Sequence, residues 1–116
     1  WGMLTILLQD DAGGLEVRNA AGDWITAPPV PGAFVVNMGD MVPILTNDLY
    51  QSTLHRVLNN LSARVRYSNP SFVSPDYPTS ILCMPTSLPE HGAPAHPETT
   101  IGDHVQAMFA RTYGTG

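Results

Sequence analysis

The sequence predicts a mostly β domain, a sandwich or small barrel of the jelly-roll type, that finishes on one helix. Three observations carry this. Short apolar runs, several with period-two alternation, recur between clusters of turn residues. The 10 Gly and 11 Pro among 116 residues are too many breakers for a coiled coil. Helical spacing behind a capping residue is clearest in the stretch after Thr100. The length suits one domain with a real core and is too short for two. With 43% hydrophobic and only 13% charged residues, the composition is the reverse of a disordered chain's.

Taken in order, Met3 to Gln9 reads as a strand with Leu4, Ile6 and Leu8 on one face and Thr5 and Leu7 on the other. Asp10 to Gly14 is a turn, Leu15 to Arg18 a short strand, Asn19 to Asp23 a second turn and Trp24 to Ala27 a third strand. These three strands are expected to pair consecutively and antiparallel. Pro28 to Gly32 punctuates the pattern before a strand at Ala33 to Asn37. Asp40 to Leu49 reads as one or two helical turns with Pro43 in the first. Thr53 to Leu58 returns to strand, with Arg64 to Ser68 as its expected partner across Asn59 to Ala63. Ser71 to Ser80 is turn-rich, Ile81 to Met84 a short edge strand and Pro85 to Pro97 a loop. The final helix runs from Ile101 to about Thr112, capped by Thr100 with Asp103 three residues on, and its apolar face is Ile101, Val105, Met108 and Phe109. No repeat or second domain boundary interrupts residues 1–116, whose core strands occupy 1–84.

A net charge of −5 with five Arg and no Lys excludes a nucleic-acid surface, which needs clustered cations. Three of the arginines, Arg56, Arg64 and Arg66, fall within eleven residues and point to a small anionic ligand. Cys83 stands alone in Ile81-Leu82-Cys83-Met84, which fits a buried, inert thiol in a reducing compartment, so a cytoplasmic location is expected. No run of about 18 apolar residues marks a membrane span, and no membrane partner is expected.

Period-two geometry puts Thr53, His55 and Val57 on one strand face, and Arg64, Arg66 and Ser68 on one face of the next. Turned inward, these faces bring an imidazole, a guanidinium and a hydroxyl into the barrel. A buried Arg needs a counter-charge, and neither strand contains Asp or Glu. A bound carboxylate supplies one, gripped by Arg with Ser as a further donor. The alternative is an Arg66 turned to solvent and an ordinary sheet histidine at position 55.

The chain resembles the C-terminal part of the non-haem iron(II), 2-oxoglutarate-dependent dioxygenases related to isopenicillin N synthase. The resemblance runs from Gly2-Met3-Leu4-Thr5-Ile6-Leu7-Leu8-Gln9-Asp10 through Gly14-Leu15-Glu16-Val17 and Pro31-Gly32-Ala33-Phe34-Val35-Val36-Asn37-Met38-Gly39-Asp40. It continues in Leu45-Thr46-Asn47-Asp48, Ser52-Thr53-Leu54-His55-Arg56-Val57 and Arg66-Tyr67-Ser68, and closes at Ile101-Gly102-Asp103. It implies an incomplete double-stranded β-helix with a C-terminal helix. It also implies Fe(2+) as metal, 2-oxoglutarate as cosubstrate, molecular oxygen, and hydroxylation, desaturation or ring closure of a small organic metabolite. His55 matches the distal iron-ligand histidine, and Arg66 and Ser68 match the Arg-x-Ser pair that holds a carboxylate.

The family's other two ligands, a His-x-Asp, belong immediately before Trp1-Gly2, so the expectation is a chain cut just after that motif. It would need the N-terminal half of its parent to complete the fold and would be a poor catalyst alone. His91, His96, Asp103-His104, Asp10 and Asp11 are read as structural or surface residues rather than replacements. Trp1, Leu7 and Phe72 are candidates to line the pocket. The rival reading is a metal-free, truncated or degenerate jelly roll with a binding or structural role. A cupin-like metal module is disfavoured because the chain has no His-x-His.

Overall fold

A computed structural model describes residues 2–59 and 63–114. The order of elements is β1 (Leu4–Gln9), β2 (Leu15–Arg18), β3 (Trp24–Thr26), β4 (Val35–Met38), α1 (Met41–Leu45), β5 (His55–Val57), β6 (Ser68–Val73), β7 (Ser80–Ile81), β8 (Thr99–Thr100) and α2 (Ile101–Tyr113), with a 3-10 turn at Pro85–Ser87. The strands form two three-stranded antiparallel sheets, β4-β1-β6 and β3-β2-β5, and a two-stranded ladder of β7 and β8. This is the mostly β, incomplete double-stranded β-helix with a C-terminal helix that the sequence predicts. No helix among the described residues is long and apolar enough to cross a membrane.

Two pairings differ from the sequence expectation. First, β1 and β2 do not form a hairpin. Gly13 and Gly14 both take positive φ (72° and 90°), a conformation open to glycine at no steric cost, and the turn carries the chain from one sheet to the other. Second, β5 does not pair with the chain after it. It pairs with β2, while Ser68–Val73 runs beside β1 in the opposite sheet. Residues 64–67 are not strand, and the Tyr67 backbone N–H goes to the Asp10 carboxylate instead of a ladder partner. Part of the intervening connection, residues 60–62, lies outside the described residues. β6 also extends into the stretch read as turns. It is an edge strand, where Pro70 is tolerated because an edge has one side without ladder partners.

Register decides which side chains face inward. Thr5 pairs with Asn37 and Phe72, and Leu7 with Val35 and Pro70, so alternate residues of three strands make one inner face. In the other sheet Leu15 sits opposite Val57 and Val17 opposite His55. These two inner faces enclose a cavity, and the tightly packed core lies beside it, between α1, β7 and the start of α2. There Met41 and Ile81 are each 1% exposed and Ile101 4%, with Ile44, Leu45 and Val105 packed around them. Cys83 is buried, in keeping with its apolar neighbours.

The cap of α2 forms as the sequence predicts: Thr100 Oγ1 accepts the Asp103 backbone N–H at 3.1 Å and donates to the Asp103 carboxylate at 2.7 Å. The apolar face is narrower than expected. Ile101 and Val105 enter the core and Met108 faces the cavity, but Phe109 is 50% exposed and its ring lies 5.6 Å from that of Tyr113.

The start of β1 is fastened to the start of α1 through Gly39, whose N–H donates to the Met3 carbonyl at 2.9 Å, while Met41 N–H reaches the Gly2 carbonyl at 3.4 Å. A Cβ at position 39 would overlap the Gly2 carbonyl oxygen, a backbone atom with nowhere to go. Gly39→Ala is therefore expected to destabilise the fold by roughly 2 kcal/mol, as overpacking does elsewhere. Urea denaturation followed by circular dichroism measures it.

Candidate functional site

The cavity between the sheets has a volume of about 840 Å³ and is closed on one side by α1 and α2. His55, Arg66 and Ser68, separated by sheet membership, all line it. Leu7 and Phe72 line it too, whereas Trp1 lies outside the described residues.

The inward row of β5 delivers His55. Its Nδ1 sits 3.3 Å from the Thr53 carbonyl. With Nδ1–H donating to that oxygen, the lone pair is on Nε2, the form in which an imidazole ligates a metal.

Arg66 is placed by the turn after β1. The Asp10 carboxylate accepts the Tyr67 N–H at 2.7 Å and the Ala12 N–H at 3.0 Å, and the Asp10 N–H donates to the Tyr67 carbonyl at 3.1 Å. Those two backbone donors, Tyr67 first, hold the Asp10 carboxyl below the usual carboxylate range, with Arg66 and Arg64 acting in the same sense. On this clamp, Arg66 Nε–H donates to the Gly13 carbonyl at 2.8 Å and Nη1 to Ser68 Oγ at 3.2 Å. Nη2 is buried with no partner. An orphaned guanidinium donor is costly, and an incoming carboxylate oxygen satisfies it. The donor set therefore fits a carboxylate.

Only one of the three clustered arginines faces the cavity. Arg64 pairs with Asp11 at 2.6 Å, on the exposed side of the turn, because residues 64–67 lack the strand alternation that would have put it beside Arg66. Arg56 pairs with Glu16 at 2.7 Å and lies 4.1 Å from the Trp24 ring centre, bracing neighbouring strands.

His104 departs most from the sequence reading, which puts it on the surface. It lines the cavity, and its Nε2 is buried without a partner. Burial pushes its imidazole below the ordinary value, against the pull of Asp40. The signal for this was the spacing of His104, Met108 and Arg111 along one helix stripe. His96 also lines the cavity, with Nε2 2.9 Å from both Asp48 carboxylate oxygens, a structural pairing. His91 is exposed. Among the described residues, no group of three or more His, Cys, Asp or Glu is placed to hold a metal ion. A lone imidazole fits iron as one ligand among several.

The family model described as the 2OG-Fe(II) oxygenase superfamily matches residues 2–75. The chain belongs to the 2OG-Fe(II) oxygenase superfamily. Within the superfamily it is 40% identical over 115 residues to the 2-oxoglutarate-Fe(II) type oxidoreductase hxnY of Emericella nidulans, covering 98% of this chain and 33% of that protein. It is 51% identical over 87 residues to a homoarginine-6-hydroxylase of Glycine max, covering 74% of this chain and 26% of that one. Among solved structures, a full-length Neurospora crassa protein in complex with alpha-KG and thymine superposes with a TM-score of 0.87 at 31% identity, covering 97% of this chain and 35% of that one. JOX2 in complex with 2OG, Fe and JA superposes with a TM-score of 0.83 at 39% identity, covering 99% and 33%. The chain thus spans about a third or less of the length of these relatives.

The lowered Asp10 carboxyl has a consequence for stability. A carboxyl depressed by folding stabilises above the unfolded carboxylate range, and that contribution is lost as pH falls through its folded value. Asp10→Asn is expected to lower the melting temperature across neutral pH. The gap to wild type should close below about pH 4, where the unfolded carboxylate protonates. Thermal melts over a pH series read this directly.

Proposed function

We propose that this chain is the C-terminal part of the catalytic domain of an iron(II)- and 2-oxoglutarate-dependent oxygenase that oxidises a small organic metabolite. Hydroxylation is the favoured outcome, with desaturation or ring closure as variants of the same chemistry. His55 supplies one iron ligand through Nε2. Arg66 and Ser68 seat the distal carboxylate of 2-oxoglutarate. The remaining protein ligands come from outside these 116 residues, a reading supported by the ligand count among the described side chains. When bound, iron supplies dioxygen activation, with 2-oxoglutarate giving up two electrons as it becomes succinate and carbon dioxide.

The single observation that carries this reading is the buried, partnerless Nη2 of Arg66 in the same cavity as His55. The chain's own residues then have defined tasks. Asp10 and Gly13 hold the guanidinium in position. Ser68 Oγ, already an acceptor from Arg66, has its own hydroxyl proton free to donate. Apolar side chains such as Leu7, Leu15 and Val35 make up much of the cavity wall. Further protein covers the outer face of β4-β1-β6, a role supported by the row of Val36, Leu8 and Val73, which are 59%, 48% and 44% exposed. Alone, the 116 residues form a jelly roll that binds but does not turn over, the second reading that the ligand count favours. A cytoplasmic location accords with the lone, buried thiol.

In a protein that carries this chain behind a His-x-Asp segment, Arg66→Ala is expected to weaken 2-oxoglutarate binding by roughly 30-fold, the worth of a charge-assisted hydrogen bond. Iron(II) affinity should stay near wild type. His55→Ala should instead weaken iron(II) binding. Calorimetric titration under nitrogen measures both, and equal loss of both ligands on Arg66→Ala would count against its assignment.

A further inference from the structure

His104, Met108 and Arg111 occupy positions i, i+4 and i+7 of α2, a spacing that gathers side chains on one stripe, and all three line the cavity. The stripe is polar at both ends and apolar in the middle. Nε2 of His104 is buried without a partner. Arg111 turns back along the helix, with Nη1 3.9 Å from the Met108 sulfur, and no carboxylate among the described residues pairs with it.

Several other polar groups of the cavity are engaged within the protein. Asp40 accepts the Ser52 hydroxyl at 2.9 Å, and His96 is held by Asp48. Arg66 is anchored on Gly13 and Ser68. Among the described residues, His104 Nε2 is the buried side-chain atom of the cavity left without a partner away from the Arg66 end, and Arg111 stands on the same helix. Seven helical residues rise about 10 Å, and the backward turn of Arg111 shortens the gap between the two polar heads. A ligand that satisfies both must carry an anionic group, a few apolar carbons and a second polar atom.

We propose that α2 is the specificity wall of the cavity and selects a small organic acid, with its carboxylate on Arg111, its carbon skeleton against Met108 and an oxygen or nitrogen hydrogen-bonded to His104 Nε2. The assignment rests on Arg66 and Ser68 taking the cosubstrate, which leaves α2 for the organic substrate. Burial that keeps the imidazole neutral suits this task, since a neutral ring offers either a donor or an acceptor at Nε2 according to tautomer.

The test uses the 116-residue chain and three probes: 3-(4-hydroxyphenyl)propionate, its methyl ester, and 3-phenylpropionate, with binding read from NMR titration. Wild type is expected to prefer the acid over the ester by about fivefold, the scale of a partly exposed ion pair. Arg111→Gln should abolish that preference. His104→Leu should instead abolish the preference for the hydroxylated over the unhydroxylated acid. Circular dichroism confirms that both variants fold, and Arg111, exposed on the helix, is a safe site to change. Arg66→Ala should leave the acid-to-ester ratio intact while weakening 2-oxoglutarate binding.

An acid preference that survives Arg111→Gln, one that disappears with Arg66→Ala, or no measurable binding of the acid overturns the proposal. If 2-oxoglutarate binding ignores Arg66 while the acid depends on Arg111, the cosubstrate seat fails and the α2 wall stands.

Discussion

The arrangement of the cavity depends on one carboxylate. Asp10 closes the turn after β1 by accepting the Ala12 N–H and fastens that turn to the far side of the chain by accepting the Tyr67 N–H. Fifty-seven residues separate Asp10 from Tyr67, and this contact brings the Gly13 carbonyl within 2.8 Å of Arg66. Without it, Arg66 would be one long flexible side chain among several on an acidic protein. With it, the guanidinium is committed on two sides and open on the third. The selectivity of that opening is geometric, because a planar fork with Nη2 free suits a carboxylate better than a spherical ion.

Much of the fold is legible in local patterning. The alternation in Leu4 to Gln9 decides which residues face inward, and the structure keeps Thr5 and Leu7 on the cavity side. The Thr100 and Asp103 cap is a local motif and forms as read. Strand partners are less accessible. Nothing in the composition of Asp10 to Gly14 distinguishes a hairpin turn from one that changes sheets. The choice is made by Asp10 reaching Tyr67, a contact invisible to periodicity. For the same reason period-two spacing groups Arg64 with Arg66 wrongly: residues 64–67 are not strand, and the rule does not hold there.

The site shows the same division. Arg66 stands out because a buried guanidinium needs a counter-charge that its strand lacks, while His55 and Ser68 are singled out with it by the family resemblance. His104 does not stand out, because a polar residue in the first turns of a helix usually faces water. Its burial comes from the docking of Ile101 and Val105 into the core beside Met41 and Ile81, which rolls the next stripe of α2 over the cavity. The small core is thus what orients the helix, and the helix is what gives the cavity its second polar wall.

The turn at Gly13 and Gly14 has a mechanical consequence. By sending β1 and β2 to different sheets, it leaves the two inner faces without any strand pairing between them among the described residues. Ladder hydrogen bonds fix spacing within a sheet at about 4.8 Å, but they place no limit on the gap between sheets. Here that gap is bridged by side chains and by the turn at Gly13 and Gly14. The width of the cavity is therefore set by side-chain contacts across the gap and by the backbone at Gly13 and Gly14, not by strand pairing.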